Sequence, residues 1–218
     1  LLEGARRLSR NELADLWRNL SPDDDRALRH AARAVLEMHP AGMWRELVIK
    51  EENCHRAGLG LIALARAGAP GSAGDVMNKV MEFDYAAIKA EQDRLNLLRA
   101  LTLALTRGGK PEPEIRLRVL RWLEDIYPAA SARENRDLTA LLASLESPSL
   151  VPRAMMLLET STSQEEQITY AMNLRFIKEG WNPPLRLQYF QWLARSENYN
   201  GGPRFRGYLS DIRRDACL

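Results

Sequence analysis

The feature that most constrains this chain is an apolar residue that returns every three or four positions. Such stripes are formed by Ile115, Val119, Trp122 and Ile126, by Leu138, Leu141 and Leu145, and by Phe205, Tyr208, Ile212 and Ala216. This spacing places each set on one face of an α-helix, and no segment alternates as a half-buried strand would. Leu (34) and Ala (27) also far outnumber Ile (8) and Val (6), which leaves little material for strands. The sequence therefore predicts an all-α fold.

The ends of the helices carry recognisable signals. Ser9 with Glu12, Ser131 with Glu134 and Ser163 with Glu166 fit capping boxes, while Ser21-Pro22 and Asn182-Pro183 place a cap before a first-turn proline. Left-handed helix ends are expected at Gly68, Gly108 and Gly180, a longer surface loop over 68–74, and a positive-φ turn at Gly201-Gly202. The helices are predicted over 10–20, 22–38, 42–51, 54–67, 72–82, 84–107, 112–127, 134–146, 149–160, 163–179, 183–197 and 204–217.

Three segments resemble one another, over 21–36, 111–123 and 147–158. Each has a Pro-containing turn, a short polar stretch, an apolar residue followed closely by Arg, and then Ala and Leu at helical spacing. The first is similar to the second helix of a HEAT repeat, whose small residues let paired helices approach closely. The sequence therefore predicts an α-solenoid of stacked antiparallel helix pairs, HEAT/armadillo-like, in a single domain over 1–218. An unrelated all-α bundle is the alternative.

Charge and cysteine content exclude several classes of protein. Lys plus Arg is 31 against 29 for Asp plus Glu, so a net charge of +2 gives no bulk attraction to nucleic acid or acidic membranes. No apolar run approaches the roughly 20 residues that span a bilayer. Two cysteines, Cys54 and Cys217, form no disulfide framework and leave the redox compartment open. Because the chain begins at Leu1 without a signal-peptide pattern, we expect it to be a piece of a longer protein.

A distinctive run lies in the second half of the chain. It consists of Gln164-Glu165-Glu166-Gln167, then Gly180-Trp181, and finally Gly201-Gly202. With these motifs the chain resembles a helical region of large, multidomain bacterial proteins described as haem-binding or membrane-bound-dehydrogenase-like. The resemblance covers nearly the whole chain and is looser before residue 90. It implies an exported parent, periplasmic or in the cell envelope, with a β-propeller before this region and often a c-type haem domain near the C-terminus.

The chemistry of that family does not carry over to this chain. Cys54-His55 lacks the second cysteine of a Cys-x-x-Cys-His haem attachment, and nothing matches a quinone or calcium site. The three histidines, His30, His39 and His55, form no cluster of ligand spacing, although His39 is placed to cap the end of a helix. We therefore expect no catalytic residue, no metal and no cofactor here, and no enzyme activity in this domain.

One set of residues is a candidate for contact with a partner. Trp181 follows Gly180 in a loop and is expected to be partly exposed, whereas Tyr189 and Trp192 are expected in the core. Trp and Arg dominate interface hot spots, which favours a contact patch of Arg175, Trp181, Arg186 and Arg204. A structural Arg–Trp pair, or a small-molecule pocket near Trp181, are the other interpretations of these residues.

The function predicted is a non-catalytic scaffold or protein-interaction module that binds protein segments or other domains of its parent. The alternative is a nucleic-acid-binding HEAT-like module of the alkylpurine DNA glycosylase type. That type needs an aromatic residue, a carboxylate and basic residues on one concave face, and Trp122 and Asp125 with Arg116, Arg118 and Arg121 are the candidates. Because Trp122 also continues an apolar stripe, we expect it in the core.

Overall fold

A computed structural model describes residues 8–18, 26–109 and 111–217. These residues contain α-helices and short 3₁₀ turns and no strand, so the all-α prediction is confirmed. No described helix is both long enough and apolar enough to cross a membrane. The helices are α1 (Arg10–Arg18), α2 (Arg26–Glu37), α3 (Arg45–Ile49), α4 (Cys54–Ala67), α5 (Ser72–Met81), α6 (Glu91–Gly108), α7 (Pro113–Ile126), α8 (Ala132–Ser144), α9 (Leu150–Thr160), α10 (Gln164–Leu174), α11 (Pro183–Arg195) and α12 (Phe205–Ala216).

The chain divides into two units, Leu1–Val119 and Leu120–Leu218. In the first unit α4 is the central helix, since it contacts α2, α3, α5 and α6. Its run from His55 to Ala65 contains ten buried residues, two of them glycines. A Cβ on Gly60 would lie 2.3 Å from the ring of Trp17 and 2.6 Å from a methyl of Val48. The glycine therefore allows α1 and α3 to approach α4 closely.

In the second unit α10 contacts α8, α9 and α12, while α11 contacts α9. Gln167 on α10 is a polar contact point within this unit. Its side-chain oxygen accepts hydrogen bonds from the indole N–H of Trp192, at 2.9 Å, and from the hydroxyl of Tyr199. Its amide nitrogen donates to the Ser161 carbonyl at 2.6 Å. One polar side chain thus links the start of α10 to α11 and to the turn that follows it.

Several helix starts agree with their predicted caps. Ser9 and Glu12 form the complete capping box, and Asn182 accepts from the Leu185 N–H at 2.9 Å. The Ser163 hydroxyl accepts from the Glu166 N–H, but the Glu166 carboxylate accepts from Ser161 instead of reaching back to Ser163. The predicted Ser21-Pro22 start lies outside the described residues.

The glycine predictions were right at one position and wrong at the others. Gly68 is left-handed with φ of 64° at the end of α4, as expected. Gly108 is the last residue of α6 and does not cap it, and the positive φ of 75° lies at the following Gly109. The missing Cβ of Gly108 lets α6 approach Ala73 closely. Gly180 has a φ of 83°, but it lies beyond the end of α10 at Leu174, so it does not cap that helix. Gly201-Gly202 has no positive φ.

Two predicted helices, one predicted loop and one predicted stripe need correction. The helix expected over 84–107 begins only at Glu91, after a 3₁₀ turn over Tyr85–Ala87, and the 68–74 loop ends early because α5 begins at Ser72. The helix expected over 163–179 ends at Leu174. On α7 the buried residues are Val119, Leu120 and Leu123, while Ile115, Trp122 and Ile126 are only half-buried. The buried face of α7 is therefore rotated from the predicted one.

Candidate functional site

Trp181 is fixed in the loop that leads into α11. Gly180 precedes it with a φ of 83°, and a Cβ there would lie 2.8 Å from the Pro148 carbonyl oxygen, so the turn requires glycine. The indole N–H donates to the Ile177 carbonyl at 2.8 Å, and the ring lies 5.2 Å from that of Tyr189. Trp181 is half-buried, which confirms the prediction of partial exposure. One edge of the indole is therefore anchored while part of the ring stays accessible.

Arg186 lies over this ring. Its guanidinium carbon is 5.3 Å from the centre of Trp181, at the distance of a cation–π contact. The side chain is exposed and makes no ion pair with any described residue. A cation–π contact uses the charge of the guanidinium and occupies none of its N–H donors, and no other described residue accepts a hydrogen bond from this side chain. Arg186 is thus positioned by the indole and still has its donors available.

The same side of α11 exposes large apolar residues. Leu187 is 59% exposed and Phe190 is 41% exposed, and their spacing of three makes them neighbours on the helix surface. Arg186 precedes Phe190 by one helical turn, so these two side chains are also neighbours on the helix surface. We call Trp181, Arg186, Leu187 and Phe190 the α11 surface. It combines apolar area with one unpaired cation, which is the composition of an interface core.

The opposite side of α11 is held firmly. Tyr189, Trp192 and Leu193 are buried, as predicted for the first two. The Tyr189 hydroxyl donates to the Ala171 carbonyl at 2.8 Å, and burial raises the pKa of that hydroxyl well above its ordinary value. The Trp192 indole donates to Gln167 at 2.9 Å. These bonds fix the rotation of α11 and therefore fix which residues face outward.

Basic charge is concentrated around this surface. Residues 175–195 contain four basic side chains and one acidic one, and α11 itself contains no acid. Arg175 pairs with Asp215 at 3.2 Å, and Arg195 pairs with Glu159 at 3.1 Å. Lys178 and Arg186 are exposed and have no such partner within the described part of the chain. The unpaired charge beside the apolar residues is therefore mainly positive.

The predicted contact patch is only partly assembled. Trp181 and Arg186 are in contact, but Arg175 stacks on Phe176 at 4.3 Å and is engaged by Asp215. Arg204 is exposed at the residue before α12. Leu187 and Phe190 were not predicted as members of the patch. The sequence could have indicated both, since a proline marks the start of this helix and Tyr189 is expected to be buried. Leu187 lies two positions before Tyr189 and Phe190 one position after it, and side chains at these spacings do not share the face of the buried residue.

The histidines occupy structural positions. The ring Nδ1 of His39 bonds the Val35 carbonyl at 2.7 Å, as predicted for a helix-end residue, and its Nε2 accepts from the Leu8 N–H at 2.9 Å. One donating and one accepting nitrogen make this ring neutral, so the contact is a hydrogen bond and not a charge on the helix dipole. His30 is exposed on α2 beside Arg33. In residues 8–18, 26–109 and 111–217, no three His, Cys, Asp or Glu side chains gather as metal ligands.

Sequence reasoning missed a buried His–Asp pair between α4 and α6. His55 Nδ1 lies 2.7 Å from an Asp93 carboxylate oxygen, and both side chains are largely buried. His55 Nε2 is buried without a hydrogen-bond partner among the described residues. Burial, aided by the charge of Asp93, raises the pKa of the adjacent Cys54 thiol to about 11. Cys54 is therefore a protonated thiol at neutral pH and a poor nucleophile.

A cavity lies in the first unit beside the loop over 68–71. Its volume is about 340 Å³, and its wall is formed mostly by glycine, alanine and proline of that loop together with Met77 and Ile115. Arg107 also lines it, but that guanidinium donates to the Arg66 carbonyl at 2.6 Å. The cavity has few polar groups that could orient a ligand, so it offers no recognisable chemistry.

The residues singled out for DNA binding lie on α7. Trp122 is half-buried, not in the core as expected, and Asp125 is exposed. Arg118 donates to the Asn78 side chain at 3.1 Å.

Comparison with known proteins adds no relative to these observations. No protein-family model, curated protein or solved structure matches the chain.

Proposed function

We propose that this chain is a non-catalytic helical module that binds other protein segments, or other domains of its parent, through the α11 surface. The observation that carries the proposal is the exposure of Leu187 and Phe190 beside the Arg186–Trp181 stack. Exposed apolar residues are common singly, but a contiguous group with Trp and Arg is typical of an interaction site. No step of chemistry is assigned to the module.

The HEAT/armadillo-like solenoid belongs to the same proposal. In a solenoid each helix contacts its partner and also the helix two positions along the chain, because pairs stack in register. Contacts of this second kind occur in the first unit between α2 and α4 and between α4 and α6. In the second unit they occur between α8 and α10, α10 and α12, and α9 and α11. This repeated pattern supports stacked pairs over a bundle around one centre.

The wider setting remains a proposal from the resemblance alone. A multidomain, exported bacterial parent with propeller and haem domains would provide the chemistry, and this module would hold those domains or a partner in place. The protonated state of Cys54 and the pairing of His55 with Asp93 are consistent with a module that performs no reaction.

The proposal is tested by selecting, from a displayed library of random 12-residue peptides, those that bind the folded chain. Leu187→Asp is the test variant, and Leu28→Asp is its matched control, since these two leucines are 59% and 60% exposed. We expect the recovered peptides to bind the wild type and Leu28→Asp equally and Leu187→Asp at least about tenfold more weakly, the cost of one hot-spot contact.

Three outcomes contradict the proposal. Failure to recover any peptide, or equal binding of the peptides to Leu187→Asp, excludes the α11 surface as an interaction site. Binding of duplex DNA that weakens steeply with added salt, in the absence of peptide binding, favours the nucleic-acid-binding alternative.

A further inference from the structure

Of the three arginines over 175–195, Arg186 alone has no acidic partner among the described residues. Arg175 and Arg195 are engaged by Asp215 and Glu159, whereas Arg186 lies over the indole of Trp181 and pairs with no acid in the described part of the chain. The cation–π contact at this exposed site favours the position of the guanidinium beside the indole before a partner arrives. A positioned guanidinium with free in-plane donors is the group best suited to receive a carboxylate in a two-bond contact.

The apolar neighbours define what must accompany that carboxylate. Phe190 follows Arg186 by four positions and exposed Leu187 by three, and side chains at these spacings on a helix are about 5–6 Å apart. A ligand that places a carboxylate on Arg186 therefore places its next side chains over a leucine and a phenylalanine. Burial of apolar side chains there removes water from the ion pair and strengthens it.

We infer that the α11 surface recognises an acidic, apolar segment of a partner protein, with one Asp or Glu carboxylate on Arg186 and an adjacent apolar side chain on Leu187 and Phe190. This inference rests on the proposed function and adds the chemistry of the partner. Charge complementarity supports it, since α11 contains no acid and the unpaired side chains beside it are mainly basic.

A phosphorylated segment fits the site less well. Recognition of a phosphate dianion relies on several convergent arginines. Here two of the three arginines over 175–195 are already paired with carboxylates, and the exposed Glu179 adjoins the unpaired Lys178 in the chain. Arg186 is the one arginine over 175–195 that no described acid engages, and a single negative charge matches it.

The experiment uses the peptides recovered from the 12-residue library on the folded wild-type chain. We expect them to be enriched in Asp or Glu next to Leu, Ile or Phe. For the tightest peptide, replacing the acid by its amide, Glu→Gln or Asp→Asn, should weaken binding about 10- to 100-fold, the range for a charge-assisted hydrogen bond. On the Arg186→Gln variant the acidic peptide and its amide form should bind with nearly equal, weak affinity.

The control separates a specific ion pair from general attraction. Lys178→Gln removes another exposed, unpaired cation from the same region, and it should change the affinity of the acidic peptide by less than about threefold, as for an exposed charge. An equal loss in Lys178→Gln and Arg186→Gln overturns the carboxylate site in favour of diffuse electrostatics.

The remaining outcomes distinguish this inference from the proposed function. The inference is overturned if the recovered peptides lack acidic residues, or if their amide forms bind equally well. If the binding of those peptides is nevertheless weakened by Leu187→Asp, the proposed function of the α11 surface still holds. If phosphopeptides are preferentially enriched from a phosphoserine-containing library, the ligand of Arg186 is a phosphate and the inferred carboxylate is wrong. If no peptide is recovered, the proposed function and this inference fail together.

Discussion

Gly60→Ala tests the close approach of three helices at the centre of the first unit. The added Cβ would lie 2.3 Å from the Trp17 ring and 2.6 Å from a Val48 methyl, distances that no native packing contains. Neither neighbour can move easily, because Trp17 and Val48 are both buried and the indole N–H of Trp17 donates to Glu51 at 2.9 Å. The methyl group must therefore displace α1 or α3.

The magnitude follows from two opposing terms. Alanine is favoured over glycine inside a helix by about 0.5–1 kcal/mol, while forcing an extra carbon into a packed core costs about 1–3 kcal/mol. We expect a net loss of roughly 1–2 kcal/mol in the free energy of unfolding, measured by urea titration with circular dichroism. Gly207→Ala on α12 is the control, since no atom lies within 4 Å of its added Cβ.

Gly207→Ala should raise stability by about 0.5–1 kcal/mol, because only the helix preference acts there. If Gly60→Ala is as stable as the wild type or more stable, the packing of Trp17 and Val48 around Gly60 is refuted. Equal destabilisation by both substitutions would show that the loss has no connection with the contact.

Three other perturbations address buried polar groups. Asp93→Ala should cost about 1–3 kcal/mol, because it leaves the His55 ring unpaired, whereas replacing both residues by leucine should cost less; urea unfolding of the single and double variants checks this. At pH 8 only about one Cys54 thiol in a thousand is ionised for a pKa of about 11, so mass spectrometry should show iodoacetamide labelling Cys217 first. Burial raises the pKa of Glu124, but hydrogen bonds from two serines outweigh it and lower that pKa overall. The stabilisation is therefore complete above the unfolded pKa of about 4.3 and is lost as the pH falls through the folded pKa, so thermal unfolding of Glu124→Gln should differ most from the wild type at neutral pH.

The bounds of a helix were predictable where residues at its own ends determine them. The bounds of α4 agree with the prediction, because its end is set by a left-handed glycine at Gly68. The segment before Glu91 is predicted as helix but does not form one, because side-chain hydrogen bonds to its backbone compete with the hydrogen bonds of a helix. The Asp84 carboxylate accepts from the Ala86 N–H at 3.1 Å, and the Arg94 guanidinium donates to the Ile88 carbonyl at 2.5 Å.

The candidate site was predictable only in its aromatic part. Trp181 was expected to be accessible because it follows a glycine in a loop, and that inference uses neighbouring residues only. Which arginines form ion pairs and which remain unpaired depends on contacts between residues far apart in the chain. Arg175 finds Asp215 forty positions later, and the His55–Asp93 pair joins residues thirty-eight positions apart. No periodicity or spacing in the sequence marks such pairs, because each is created by helix packing.

The exposure of the α11 surface is a property of the fold and not of a loosely attached helix. A weakly held amphipathic helix could rotate and bury Leu187 and Phe190. Here rotation would break the bond from Tyr189 to the Ala171 carbonyl and the bond from Trp192 to Gln167, each buried on the opposite side. Leaving such groups unpaired costs about 1–3 kcal/mol apiece, comparable to the gain from burying one leucine. The apolar residues must therefore stay outward in the folded chain, and only a second surface can remove them from water.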